Sequence, residues 1–172
     1  MPNWQELLSK EGPGVWRTVY RILDHRADAE ECYQDTFLAA LEVSHREVVR
    51  SWPALLRRLA TARAVERLRQ RCRRRAREKA LDWDDVPCPM QPPSQTAEER
   101  ELAQRLREAL VRISSQQAEV FCLHCLEGWS YQEIAEQCEL SQGAVGVILH
   151  RARKQLQSQL ATFYGSSRKE IR

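Results

Sequence analysis

Residues 126–156 read Leu126-Glu127-Gly128-Trp129-Ser130-Tyr131-Gln132-Glu133-Ile134-Ala135-Glu136-Gln137-Cys138-Glu139-Leu140-Ser141-Gln142-Gly143-Ala144-Val145-Gly146-Val147-Ile148-Leu149-His150-Arg151-Ala152-Arg153-Lys154-Gln155-Leu156. Glu127-Gly128-Trp129 interrupts any helix before it. Ser130 and Glu133 then have the spacing of a capping box, in which each side chain satisfies the other residue's free backbone N–H. Ile134, Ala135 and Cys138 share one helical face, and Val145, Leu149, Ala152 and Leu156 share another about three turns long. Only Glu139-Leu140 separates the two, so the stretch predicts a helix-turn-helix whose second member starts at Ser141. Periodicity alone fits an ordinary helical hairpin equally well.

Outward from this point the same period recurs. Upstream, Ser114 with Gln117 and Thr96 with Glu99 repeat the capping-box spacing. Ala29, Cys32, Tyr33, Thr36, Phe37, Ala40 and Leu41 make a strong amphipathic stripe, and Val15, Val19, Ile22 and Leu23 a shorter one. Trp52, Leu55, Leu56 and Leu59 begin a further helix, with Ser51 as its cap and Pro53 tolerated in its first turn. Glycine is scarce, at 6 of 172 residues, and alternating β-patterned runs are missing. The expectation is an all-α protein.

Charge divides the chain. Residues 57–79 hold ten arginines and one lysine against two glutamates, while the segments on either side are each net acidic. So many cations in 23 residues repel one another without a partner, so nucleic acid is favoured over a merely solvated helix face. A composition change follows: residues 82–93 hold three aspartates and four of the seven prolines, which reads as an extended linker. The domains expected are therefore residues 1–80, a linker over 81–95, a helix-turn-helix domain over 96–165 and a tail over 166–172.

The six cysteines form no disulfide framework in a chain without a secretory pattern; no basic segment precedes an apolar one at the N-terminus. The longest apolar run is far too short to cross a bilayer. The reading is a cytoplasmic protein without a membrane association, a cofactor or a metal. Cys122, His124 and Cys125 could supply half a zinc site, but only Cys138 offers itself as a further ligand, and small buried hydrophobes are the competing reading for the cysteines. No phosphate-binding glycine loop or paired-carboxylate constellation is present, so no enzyme activity is expected.

Four segments carry a family resemblance. Asp28-Ala29-Glu30-Glu31-Cys32-Tyr33-Gln34-Asp35-Thr36-Phe37-Leu38, Leu55-Leu56-Arg57-Arg58-Leu59-Ala60 with Glu66 and Leu68-Arg69, Leu126 to Glu136, and His150-Arg151-Ala152-Arg153-Lys154-Gln155-Leu156 resemble, in order, the signatures of bacterial sigma factors of the extracytoplasmic-function (ECF) type. The resemblance implies two helical domains that bind core RNA polymerase, direct it to promoter DNA and help open the duplex, with an anti-sigma factor as a further partner. It implies a polymerase-facing set of Glu30, Glu31, Gln34 and Asp35. It places Arg63, Arg67 and Arg69 at the minus-ten strand, with Trp52 as a stacking residue whose competing role is core packing, and the base-specificity loop over Val43–Ser51. The minus-thirty-five set is Ser130, Tyr131, Gln142, Ala144, Val147, His150, Arg151 and Lys154.

There are departures. Leu55, Ala62 and Glu66 stand where the family has Trp, Asn and Asp, and Gly146-Val147-Ile148 replaces its usual Lys-Ser-Arg. No side chain on the exposed face of the recognition helix before Arg151 can make a bidentate contact to guanine, so base readout is expected to be mainly apolar, through Val147 and Ala144. Two other readings compete: a helix-turn-helix regulator that acts without polymerase, and a cysteine-based zinc or redox sensor.

Overall fold

The computed structural model describes residues 2–78 and 96–167, with side chains described as far as Thr162. Those residues form seven helices and no strand: α1 (Trp4–Leu23), α2 (Arg26–Arg46), α3 (Trp52–Glu78), α4 (Ala97–Leu110), α5 (Ser115–Cys125), α6 (Tyr131–Cys138) and α7 (Gln142–Ser167). The expected all-α class holds. The expected linker at 81–95, with Asp82, Asp84, Asp85 and Cys88, lies outside the described residues.

Each start has a local cause. The Asn3 side chain accepts from the N–H groups of Gln5 and Glu6 at the head of α1. The three capping boxes expected at Thr96, Ser114 and Ser130 all form. Asp24 ends α1 and Glu139 ends α6 in left-handed backbone, with φ of 47° and 55°. Such a conformation crowds any side chain other than glycine, so the tight α6–α7 turn stores strain at Glu139.

The stripe from Val15 to Leu23 marks only the second half of α1, and Gly12-Pro13-Gly14, a helix breaker by local preference, lies inside the helix. Packing overrides it. A Cβ at Gly12 would stand 2.6 Å from the Tyr33 Oη, so glycine there lets α2 approach α1. Tyr33 in turn meets Trp16 and Phe37 at ring-centroid distances of 6.1 and 5.0 Å.

Helices α1, α2 and α3 bury Val15, Val19, Ile22 and Leu23 against Cys32, Phe37, Leu56, Val65 and Leu68. A second cluster fixes the helix-turn-helix: Val120 and Leu123 of α5, Trp129, Ile134 of α6, and Val145 and Leu149 of α7. The first cluster does not stop at α3. It continues through Leu110, Ile113, Ala118 and Cys122 to Ala152 and Leu156, so the two halves share one apolar core.

Candidate nucleic-acid interface

α7 presents the face that its periodicity requires. Val145, Leu149, Ala152 and Leu156 are buried, while Gln142, Val147, His150, Arg151 and Lys154 are exposed and Ala144 is half-buried. Val147 keeps 50% of its surface in solvent although it is apolar, which suits contact with a thymine methyl. Ser130 is occupied as a cap: its Oγ receives the Glu133 N–H at 3.2 Å and donates to Glu133 Oε2 at 2.8 Å. Hydrogen bonds from the Ser130 backbone and hydroxyl hold the Glu133 carboxyl below its usual range. Tyr131 lies edge-on to His124, with ring centroids 5.3 Å apart. Its ring also lies beside Gly146, where an added Cβ would meet it at 3.6 Å.

On α2 the four polar residues Glu30, Glu31, Gln34 and Asp35 are exposed together. Glu30 is bound by Arg26 at 2.9 Å, one turn away. Glu31 is bound by Arg67 of α3. Sequence reasoning passed over Leu38, which continues the same face one turn beyond Gln34 and is 59% exposed. An apolar side chain that far into solvent is the available signal.

α3 holds its arginines in three ways. Arg67 turns to α2, where Asp28 lies at 3.7 Å and Glu31 closes the pair. Arg71 reaches Asp28 Oδ2 at 3.1 Å and the Leu23 carbonyl at 2.8 Å; the Arg71 and Asp28 side chains are only 10% and 13% exposed. Arg69 donates to the Ile113 carbonyl at 2.7 Å, across to the other half of the molecule. Arg63 is half-buried beside Cys32, and its Nε has no hydrogen-bond partner. Arg57, Arg73 and Arg77 are exposed. Trp52 packs edge-on to Trp4, with centroids 5.4 Å apart, which places it in the α1–α3 contact.

The loop expected over Val43–Ser51 is shorter than that. α2 runs through Arg46, because the helical ladder continues to a Glu47 N–H bonded to the Val43 carbonyl at 2.9 Å. Residues 47–51 remain as the connection, with Val48 94% exposed at its tip. This loop and Arg58 form one wall of a cleft of about 400 Å³, and Glu136, Gln137 and Glu139 form the other.

The described cysteines do not converge. Cys122 is fully buried and Cys125 exposed, so the pair points in different directions. His124 Nδ1 is 2.8 Å from the Trp129 carbonyl oxygen. Burial pushes the thiols of Cys32 and Cys122 up to about 12 and that of Cys138 up to about 11, which keeps them protonated and poorly nucleophilic. Among the described residues no three metal-ligating side chains cluster.

A helix-turn-helix with an exposed second helix, joined to an arginine-bearing helical bundle, defines a two-part helical nucleic-acid-binding protein. Family models agree with both parts: "Sigma-70 region 2" matches residues 7–76 and "Sigma-70, region 4" matches residues 103–156. The chain is 30% identical over 161 residues to the ECF RNA polymerase sigma factor SigE of Mycolicibacterium smegmatis, an alignment that covers 94% of this chain and 63% of that protein. Its fold is similar to that of the sigma factor RpoE from Bartonella quintana, solved in complex with the anti-sigma factor NepR, with a TM-score of 0.59, 21% identity and coverage of 94% of this chain and 98% of that one. The chain belongs to the sigma-70 family and is similar to an ECF-type member of it.

Proposed function

We propose that the chain is a transcription initiation factor that binds core RNA polymerase in the cytoplasm, directs it to specific promoters and helps open the DNA. It carries out no catalysis of its own. Residues 1–80 hold polymerase and the minus-ten strand, and residues 96–165 hold the minus-thirty-five element. The observation that carries this reading is the order of three surfaces along one chain: the polar face of α2 with Glu30, Glu31, Gln34 and Asp35, the arginine helix α3, and the α7 face of Val147, His150, Arg151 and Lys154. Trp52, Arg63, Arg67 and Arg69 belong to the minus-ten contact, and Ser130, Tyr131, Gln142 and Ala144 complete the minus-thirty-five set. Melted bases need phosphate-directed cations around them, which α3 provides.

The solved relative is bound to an anti-sigma factor, and a protein of that kind is the expected regulator here too. Among the described residues no helix is long and apolar enough to cross a membrane. The test is reconstitution with purified core polymerase and a labelled duplex promoter. The complex should shift the duplex only when both proteins are present. A shift by the chain alone, unchanged on adding polymerase, would support a polymerase-independent regulator instead.

A further inference from the structure

The first turns of α7 carry little side chain. Gly143, Ala144, Gly146 and Val147 offer no side-chain donor or acceptor, and Val147 is the one large apolar group exposed among them. Glycine at 143 and 146 also lets the backbone come close to whatever lies against it. Beside this stretch stands Tyr131, the first residue of α6, with 37% of its surface in solvent.

The Tyr131 ring is held from two sides. His124 meets it edge-on, with ring centroids 5.3 Å apart. His124 is itself anchored: its Nδ1 lies 2.8 Å from the Trp129 carbonyl oxygen, and since a carbonyl only accepts, that nitrogen donates. On the other side the ring lies against Gly146, where an added Cβ would stand 3.6 Å from Tyr131 Cε2. Consecutive helical residues are about 100° apart around the axis, so a ring seated on Gly146 flanks Val147 without covering it. Two apolar surfaces thus border a strip of α7 that has no polar side chain. A polar base edge pressed there would lose its water hydrogen bonds without replacement. The alkyl group that a pyrimidine carries at C5 loses none, and in duplex DNA it projects into the major groove.

We propose that Tyr131 is a specificity-determining residue of the α7 face: its ring and Val147 together take the 5-methyl group of a pyrimidine, whether that of thymine or of 5-methylcytosine. This deepens the reading of α7 as the minus-thirty-five contact and rests on it. A cytosine methylated at C5 presents the same group at the same place in the groove, so its methylation strengthens binding at that step rather than blocking it.

The test uses the full chain with core polymerase. Selection from a randomised duplex library supplies the probe, and the same selection is run with the chain alone. Each thymine of the selected duplex is then replaced in turn by deoxyuridine, cytosine and 5-methylcytosine, with affinity read by fluorescence anisotropy. At one position deoxyuridine should weaken binding about fourfold, the effect of one buried methyl group. Cytosine should weaken it similarly there, and 5-methylcytosine should restore it. Tyr131→Ala should bring the thymine-to-deoxyuridine ratio close to unity, Tyr131→Phe should restore the ratio because it returns the ring without the hydroxyl, and Val147→Ala should lower it from the other side. Circular dichroism reads helicity, and the base replacements with wild-type protein need no variant at all.

A wild-type chain indifferent to every thymine methyl would overturn the proposal, as would 5-methylcytosine behaving like cytosine. Equal weakening of the thymine and deoxyuridine duplexes by Tyr131→Ala would make the residue structural, and Tyr131→Phe failing like Tyr131→Ala would make it a hydroxyl contact; either result contradicts the proposal. The function reading fails separately. A sequence enriched by the chain alone and unchanged by polymerase would count against that reading, while the base replacements on that sequence would still decide the role of Tyr131. No enrichment in either selection would overturn the proposal itself.

Discussion

On α3, Arg67 and Arg71 lie against Asp28, Glu31 and the end of α1, and Arg69 lies against Ile113. On α7, His150, Arg151 and Lys154 stand in solvent. The two surfaces are read from similar sequence signals, clustered cations on a helix, yet their cations are held differently. The run of arginines in α3 also ties helices together, so a strand that engages Arg67 and Arg69 must compete with their internal partners. Among the described residues no hydrogen bond or ion pair ties down the side chains of His150, Arg151 and Lys154, so substitutions there should leave the fold alone.

The largest expected effect breaks the structural side of this contrast. Asp28→Ala strands the largely buried Arg71 and removes a partner of Arg67, and should cost about 3 kcal/mol in urea unfolding. A loss no greater than that of an exposed pair would mean that the α3 arginines are held mainly by solvent. Next, Gly12→Ala forces the Tyr33 hydroxyl aside and should destabilise by about 1–3 kcal/mol. Gly14→Ala, with nothing within 4 Å of the new Cβ, should instead stabilise by up to about 1 kcal/mol by removing backbone entropy from the unfolded chain. Thermal midpoints that move in the same direction for the two would contradict the close α1–α2 approach.

Functional substitutions sharpen the contrast further. Asp35→Lys, on an exposed carboxylate, should weaken core-polymerase binding while leaving helicity unchanged, whereas Glu31→Lys also releases Arg67 and should lower stability too. Lys154→Ala should weaken promoter binding about equally across sequences and reduce the salt slope by about one. Val147→Ala should change discrimination at one base position with little change in salt dependence. The reverse pattern, sequence preference moving with Lys154 and not with Val147, would mean that α7 is rotated in the groove. The smallest effect is on pH. Because the Glu133 carboxyl is held down in the folded state, the α6 cap contributes above its ordinary value of 4.5 and is lost as acid carries the solution below it. Glu133→Gln should abolish that part of the acid sensitivity, and Ser130→Ala, which keeps the backbone N–H bond to the carboxylate, should only reduce it.

Much of the fold is legible in the sequence because its causes are local. Three capping boxes place the starts of α4, α5 and α6, and the stripe from Ala29 to Leu41 places α2 with its buried face. The beginning of α1 is not legible, since Gly12 and Pro13 are punctuation locally and a seat for Tyr33 only in the packed structure. The exposed direction of α7 follows from four apolar residues. The partners of Arg67, Arg69 and Arg71 do not, because an ion pair between residues 43 positions apart leaves no periodic trace. For the same reason charge alone reads the α3 strip as wholly available to nucleic acid, and the seam between the halves is invisible to it.

The most direct test of the central claim is transcription from a duplex promoter by purified core polymerase with and without this chain. The account requires specific initiation at that promoter only when the chain is present, lost with Asp35→Lys and reduced with Lys154→Ala. Initiation that is no greater with the wild-type chain than with core polymerase alone, on promoters drawn from genes controlled by the same bacterium's ECF factors, would contradict it.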